Sequence, residues 1–325
     1  MANRLRIHVI GSGAIGSLLG GLLAAKNHQV ALMSNEKDLK TPEQLGMRII
    51  LPDNFINTKI FVSRPVEEAD LLIVALKRFH LKNLTNEFFA DFKLAPERKM
   101  LFLNCNPSRM RSLVPDGVKG GVALTLLNAV QFEAGEVELC SKRSFLLIER
   151  DKELKNVMNE LRSYGLEIKE SDDIESSANS FFILQLLNLP VAMCNTTLNH
   201  FLSYKEGREV AVKVLEEGVT AMMRSGRKLK QLPFMDPQEL LKNLQKRGND
   251  FDVYRFPPDR CYNTILQSII RNKMTETREI NGQLVKMAGS AGVNPLWNWR
   301  LTQKLSRVLR VGFYSTPIDL LKMLK

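Results

Sequence analysis

Six residues near the start of the chain, Gly11-Ser12-Gly13-Ala14-Ile15-Gly16, have the types and spacing to hold a phosphate. Glycine at the first position permits a tight turn. At the second it lets backbone approach a pyrophosphate, and at the third it lets a helix pack closely on a strand. A helix beginning there aims free N–H groups and its positive dipole end at the anion. A second group, Met33-Ser34-Asn35-Glu36-Lys37, falls where dinucleotide-binding folds read the ribose. An acid at that strand end binds the ribose hydroxyls of NAD. Ser34 and Asn35 are not acidic, and Lys37 and Lys40 are placed to meet a 2′-phosphate. The expected cofactor is NADP(H), with Glu36 keeping NAD(H) as the less favoured alternative. Four cysteines, Cys105, Cys140, Cys194 and Cys261, are far apart and form no C-x-x-C pair. They read as free thiols of a reducing cytosol, and no metal site is expected.

The elements around the glycines fit this reading. Leu5, Ile7, Val9 and Ile10 form a short apolar strand, and Ala14 to Ala25 reads as a helix rich in Leu and Ala. Ile7 to Ala25 could pass for a signal peptide or a membrane helix. The five glycines in it, and the change of period within it, indicate a βα unit instead. Strands are expected over Gln29–Met33, Lys59–Val62, Asp70–Leu76, Lys99–Leu103, Gly121–Leu126, Ser144–Glu149 and Leu166–Lys169, with a helix over Leu154–Tyr164. This alternation predicts an α/β Rossmann-type N-terminal domain with a mostly parallel sheet. After Ser171 long helical stretches take over: Ser180–Phe201, Lys205–Ser225, Asp236–Lys246, Asn263–Ala291 and Pro295–Val311. The chain therefore divides into a dinucleotide-binding Rossmann domain, 1–172, and an all-α C-terminal domain, 173–325.

The whole-chain numbers agree. A chain of 325 residues with 44% apolar and 25% charged residues is long and apolar enough for about two globular domains. That composition excludes disorder, collagen-like repeats and a disulfide-stapled scaffold. Lys+Arg 46 against Asp+Glu 35 gives a net charge of +11, but no basic block occurs. The charge therefore points to a small anionic substrate rather than to nucleic acid or a membrane. A cytoplasmic location follows from the same reading.

Four stretches together resemble the ketopantoate reductase (2-dehydropantoate 2-reductase) family over nearly the full length. They are GSGAIGSLLG, DLLIVALKRFH, the span Gly121–Gly135, and NTILQSIIRNKMTETREINGQLVKMAGSAGVNP. The last is the most specific, because it follows the family's S-S-M-x-Q-D…T-E-I-D-x-I-N-G…A-x-x-x-G-x-x-x-P pattern closely. The resemblance implies a Rossmann domain and a helical domain with the active site between them. It implies hydride transfer from NADPH to the ketone of a small anionic 2-oxo acid, and a homodimer. Carried over by position, it makes Lys77 and Glu276 catalytic candidates, and Asn188, Thr264 and Asn263 substrate-binding candidates. Gly11, Ser12, Gly13, Ala14, Ile15, Gly16, Ser34, Asn35, Lys77, Asn104, Cys105 and Glu276 become candidates for the cofactor.

Two departures stand out. Where the family reads Q-N-G or H-N-G after a strand, this chain has Asn104-Cys105-Asn106-Pro107, which puts Cys105 in the asparagine's place. The family's proton-donating lysine falls on Ser180 or Phe181 from the upstream match and near Leu184 from the downstream one. No lysine or arginine occurs between Lys169 and Lys205. General acid catalysis contributes about 10²–10⁴-fold in rate. Its loss leaves three readings open. The first is a reductase with an altered donor or substrate, Lys77 being the leading substitute and His200 the weaker one. The second is a nucleotide-binding sensor or structural partner without reductase activity. The third is a different chemistry involving Cys105, Cys194 and Cys261, whose bland alternative is three small buried residues. The strand-end residues generate a first prediction. NADPH should bind more tightly than NADH by about 1.5–3 kcal/mol, the range for one charge-assisted contact. Equal dissociation constants in a fluorescence titration would contradict it.

Overall fold

The computed structural model describes residues 4–33, 43–62, 69–84, 94–141, 143–233, 236–247, 262–312 and 314–325. The chain divides into two compact units, Met1–Glu175 and Ser176–Lys325. The sequence places the change at residue 172.

The first unit is built on one sheet, with eleven strands among the described residues. They are β1 (Arg6–Ile10), β2 (Gln29–Met33), β3 (Glu43–Ile50), β4 (Phe55–Val62), β5 (Ala69–Val74), β6 (Leu94–Leu103), β7 (Lys119–Leu126), β8 (Ala129–Glu133), β9 (Glu136–Leu139), β10 (Ser144–Glu149) and β11 (Leu166–Ser171). Their order is β11-β10-β7-β6-β5-β1-β2-β4-β3-β9-β8. The central run from β7 through β6, β5, β1 and β2 to β4 is parallel throughout. Only the pairs β7–β10, β3–β4 and β8–β9 are antiparallel. The expected mostly parallel Rossmann-type sheet is therefore present. β1 and β5 are buried nearly throughout, as continuous apolar runs in a covered parallel sheet must be. The first helix, Ala14–Ala24, contributes fully buried Leu18, Leu19, Leu22 and Leu23 to the same core as Val9, Val30, Ile49 and Ile73.

The chain crosses from one side of β1 to the other between β4 and β5. The junction of β1 and β5 is thus a topological switch point, where α/β sheets open a crevice at the carboxyl ends of their strands.

The second unit is helical in its described residues, but two expected helices are broken. The stretch expected as one helix over Ser180–Phe201 is three: Ile174–Gln185, Asn188–Met193 and Leu198–Ser203. The first break follows from Pro190, which has no N–H to give the Leu186 carbonyl one turn back. That carbonyl instead receives the Nδ2 of Asn281 at 3.2 Å. The second break is set by Asn195 in the left-handed region, φ 48°, and by Thr197, whose hydroxyl caps the next helix through the His200 N–H. The stretch expected as one helix over Asn263–Ala291 is Thr264–Ile270 and Asn281–Ser290. Asn272 ends the first at φ 51°, with bonds from Asn272 N to the Ile269 carbonyl and from Lys273 N to the Ser268 carbonyl. This is a Schellman-type stop with asparagine in the left-handed position. The helices Lys205–Arg224, Pro237–Arg247 and Leu296–Val311 match the sequence pattern, and Pro317–Leu324 is an additional one.

A buried chain of polar contacts links these helices. Asn281, fully buried, donates to the Asn298 Oδ1 at 3.0 Å, and the Asn298 Nδ2 donates to Glu217 at 2.9 Å. Glu217 also accepts the Trp297 and Asn298 N–H groups at 2.7 and 2.9 Å, capping the helix Leu296–Val311. Burial pushes the Glu217 carboxyl upward, against the pull of these three donors.

In the first unit, Asp151 caps the helix Lys152–Asn159 by accepting the Glu153 and Leu154 N–H groups, and it pairs with Lys99 of β6 at 2.6 Å. Burial works to raise its pKa, but the Lys99 ammonium and the two N–H groups outweigh it and hold the carboxyl below its ordinary value. A depressed carboxylate adds stability above its unfolded pKa of about 3.9, and that contribution is lost as pH falls through the lower folded value. Asp151→Ala should therefore cost about 1–2 kcal/mol in urea unfolding at neutral pH. The gap to the unsubstituted protein should shrink at pH about 3. A gap equal at both pH values would refute the pairing.

Candidate functional site

Three turns follow the carboxyl ends of the adjacent strands β1, β5 and β6, and they carry most of the expected site residues of the first unit. The turn after β1 needs each of its glycines for a different reason. Gly11 has φ 108°, and a side chain there would meet the Ala75 carbonyl oxygen at 2.7 Å. A methyl on Gly16 would lie 2.0 Å from the Gly11 carbonyl oxygen and 3.1 Å from the Ala75 methyl. Around Gly13 nothing lies within 4 Å of that position. Gly11 and Gly16 are thus needed for the protein's own packing. Gly13 borders open space, as a cradle for a ligand requires. The helix starts at Ala14 with glycine as its N-cap and no acid in its first turn, so its leading N–H groups and dipole face that space. Ser12 is exposed, Ala14 and Ile15 are half-buried, and the Ser12 carbonyl accepts from the Ser17 hydroxyl at 3.2 Å. These residues fit a pyrophosphate.

The turn after β5 runs beside this one. The Ala75 N–H donates to the Ile10 carbonyl at 2.8 Å, which brings Lys77 to the same end of the sheet. Lys77 is half-buried, with its Nζ 5.9 Å from the centre of the Phe79 ring.

The turn after β6 is committed to its own structure. Asn104 adopts φ 55°, its Nδ2 donates to the Thr125 hydroxyl at 2.7 Å, and its Oδ1 accepts the Thr125 N–H at 2.7 Å. Asn106 caps the short helix Pro107–Arg111 through the Arg109 N–H. Cys105 lies between them, 2% exposed. Burial pushes its thiol up to about 11, although Arg78 and Arg109 stand close enough to pull it the other way. Those two arginines, with Lys77, concentrate positive charge at this end of the sheet. Although the sequence has no basic block, Arg78 and Arg109 each fall in the segment that follows one of these strands.

In the second unit, Asn263 brings two of the expected residues together. Its Oδ1 caps the helix Thr264–Ile270 through the Ile265 and Leu266 N–H groups, and its Nδ2 donates to the Asn188 carbonyl at 3.0 Å. Asn263 is thereby used as a strut. Asn188 is half-buried and Thr264 is exposed. Glu276 lies in the turn between helices rather than on one, and its carbonyl accepts the Glu279 and Ile280 N–H groups. Ser180 is fully buried, and its hydroxyl accepts the Lys230 N–H at 2.9 Å; Asn179 donates to the Lys228 carbonyl at 3.0 Å. The segment Lys228–Lys230 therefore packs on the helix Ile174–Gln185, which has no cation of its own. Local sequence gives no sign of this contact, which spans about fifty residues. His200 is exposed, beside the Tyr204 hydroxyl at 3.5 Å.

Ser34, Asn35, Glu36, Lys37, Lys40 and Cys261 lie outside the described residues. The expectation of four free thiols is corrected: Cys140 is disulfide-bonded, while Cys105 and Cys194 are free. Spacing could not show this, because a disulfide requires proximity in the fold rather than in the sequence. Burial, with the Asp319 carboxylate adding to it, pushes the Cys194 thiol up to about 12. Both free thiols are thus poor nucleophiles at neutral pH. Among the described residues, no group of three or more His, Cys, Asp or Glu side chains could hold a metal ion, and no helix is long and apolar enough to cross a membrane.

The contrast between Gly13 and Gly16 gives a sharp test. Gly13→Val should fold with little change in unfolding midpoint and lose NADPH binding by at least about tenfold. Gly16→Val should destabilise the protein outright, by overpacking of about 1–3 kcal/mol or more. NADPH bound by Gly13→Val with unchanged affinity would show that the cradle is not the ligand site.

Comparison with known proteins bears on the whole chain. The family described as Ketopantoate reductase PanE/ApbA matches residues 7–104, and its C-terminal part matches residues 180–308. The 2-dehydropantoate 2-reductase of Pyrococcus horikoshii is 27% identical over 293 residues, covering 87% of this chain and 91% of that protein. The crystal structure of a PanE/ApbA family ketopantoate reductase from Ralstonia eutropha JMP134 superposes with a TM-score of 0.73 at 20% identity, covering 94% of this chain and 98% of that one. A D-mandelate dehydrogenase, in a ternary structure with NADH and anilino(oxo)acetate, has the same fold with a TM-score of 0.73 at 17% identity, covering 94% and 99%. With both parts matched in order on a mostly parallel sheet followed by a helical unit, the chain belongs to the ketopantoate reductase family.

Proposed function

We propose that this protein is an oxidoreductase that binds a nicotinamide dinucleotide, NADPH in preference to NADH, and reduces a 2-oxo acid such as ketopantoate to the 2-hydroxy acid. We propose further that it does so slowly. The observation that carries the reading is the open space at Gly13, flanked by two glycines that the fold itself requires. When bound, the nicotinamide supplies a hydride to the ketone carbon and is itself oxidised; the ketone oxygen takes a proton. The chain has the remaining tasks. The backbone from Gly11 to Gly16 and the start of the first helix hold the pyrophosphate. Lys77, together with Arg78 and Arg109, supplies positive charge at the carboxyl end of β5 and β6 for an anionic ligand and is the leading proton source. Asn188 and Thr264 orient the substrate, with Asn263 holding the helix that carries Thr264 to the Asn188 backbone. Glu276 completes the set as the acidic partner. The chemistry of these residues suits a small carboxylate, and a homodimer is the assembly the same reading takes.

A second reading, a nucleotide-binding protein without reductase activity, has its own observation. From residue 170 to residue 204 there is no lysine or arginine, and Ser180, one of the positions expected for the donor, is fully buried under the Lys230 N–H. Turnover of NADPH with a panel of 2-oxo acids, beside direct NADPH binding, separates the two readings. Binding with turnover supports the reductase; binding with none supports the second.

The rate should fall well below the ordinary range of about 1–10³ s⁻¹ with ketopantoate. Phe181→Lys or Leu184→Lys, both at half-buried positions, should raise it measurably. Ser180→Lys should instead unfold the helix, because an ammonium at a fully buried position is costly. If the unsubstituted protein already turns over at an ordinary rate, the missing donor is not limiting. Lys77 then becomes the leading proton donor, and Lys77→Met should remove the activity.

A further inference from the structure

In the second unit, the helix Lys205–Arg224 ends beside the helix Asn281–Ser290, and their junction forms a shallow, open cleft of about 550 Å³. Ligand pockets run from about 300 to 1,000 Å³, so the space admits a small metabolite. Its wall holds three cations, Arg224, Arg227 and Lys286, and no acid. Gln283, Ser225 and Ser290 add polar groups, and Met287 and Ala291 form an apolar floor. Structural duties account for little of this charge. Arg224 gives one N–H to the Gly292 carbonyl at 3.2 Å. Arg227 and Lys286 are exposed, and their side chains make no hydrogen bond or ion pair among the described residues. The helix-end carbonyls that could otherwise call for cations are already met by backbone: Ser225, Gly226 and Arg227 donate to the Ala221, Met223 and Met222 carbonyls. Both serine hydroxyls donate to backbone as well, Ser225 to Ala221 and Ser290 to Lys286.

We propose that this cleft is a binding site for a phosphate-bearing small molecule, separate from the glycine turn. One carboxylate needs one cation. Three cations around one cleft, two of them guanidinium forks, suit a group with several anionic oxygens, which a phosphate monoester or a pyrophosphate supplies. The amide of Gln283 and the apolar floor leave room for an organic body beyond the phosphate. The open mouth keeps such a ligand partly hydrated, so binding is moderate and weakens with salt.

The test is calorimetric titration of the full chain at low ionic strength with two probes, inorganic pyrophosphate and glycerol 3-phosphate. It is run in the Gly13→Val background so that the glycine turn does not contribute. Arg227→Gln and Lys286→Gln should each weaken binding by roughly tenfold or more. Lys286→Arg should retain it, and NADPH binding by the otherwise unsubstituted chain should be unaffected by either loss. Tighter binding of pyrophosphate marks the free anion as the natural class, and tighter binding of glycerol 3-phosphate marks an ester. The proposal is overturned if neither probe binds, or if both glutamine variants bind as tightly as their parent.

Discussion

A single methyl group on Gly16 would lie 2.0 Å from the carbonyl oxygen of Gly11, and that forbidden volume sets the geometry of the first unit. With hydrogen there instead, the first helix leaves the sheet close enough to pack Leu18, Leu19, Leu22 and Leu23 into the core of β1 and β2. The same closeness seats Ala75 against the turn, so the chain after β5 emerges alongside it and Lys77 follows two residues later. The empty position beside Gly13 is the complement of that tightness. Gly11 and Gly16 are closed in by the protein's own atoms, while the middle glycine of the turn faces open space.

In the helical unit the comparable constraint is Pro190. Its missing N–H leaves the Leu186 carbonyl without a helical partner, and the fully buried Asn281 supplies one. Asn281 is tied in turn to Asn298, and Asn298 to Glu217. Each of these groups is a buried donor or acceptor whose loss costs about 1–3 kcal/mol, so the chain of contacts resists piecemeal change. It fixes the start of the helix Asn281–Ser290, just past the turn that carries Glu276, and the break just before Asn188. The asparagine-glycine pair in the C-terminal signature is therefore part of the scaffold that presents the candidate site residues.

The sequence was most readable where burial is continuous. β5 and β10 are apolar runs, and the expected bounds fall on them within two residues. β9 buries only Val137 and Leu139, and β8 is five residues with an exposed end, so neither raises a signal above its turns. The helix breaks at Leu186 and Arg271 went unseen for a different reason. Apolar periodicity runs across both, and what stops the helices is a proline's missing donor and a left-handed asparagine. Within the candidate site, the glycine turn was legible because its requirement is local. The commitment of Asn104 to Thr125, the strut from Asn263 to Asn188, and the packing of Lys230 on Ser180 were not, because each joins residues at least twenty-one apart.

The central claim is that this chain transfers hydride to a 2-oxo acid in spite of having no lysine or arginine in the stretch 170–204. Incubation of the protein with ketopantoate and NADPH deuterated at the transferring position, followed by mass spectrometry of the product, tests it most directly, since accumulation over hours reveals turnover too slow for a steady-state assay. The account predicts pantoate carrying one deuterium, formed by the intact protein and absent with Gly13→Val. Bound NADPH with no deuterated 2-hydroxy acid, from ketopantoate or from any other 2-oxo acid tried, would contradict it and leave a nucleotide-binding protein without reductase chemistry.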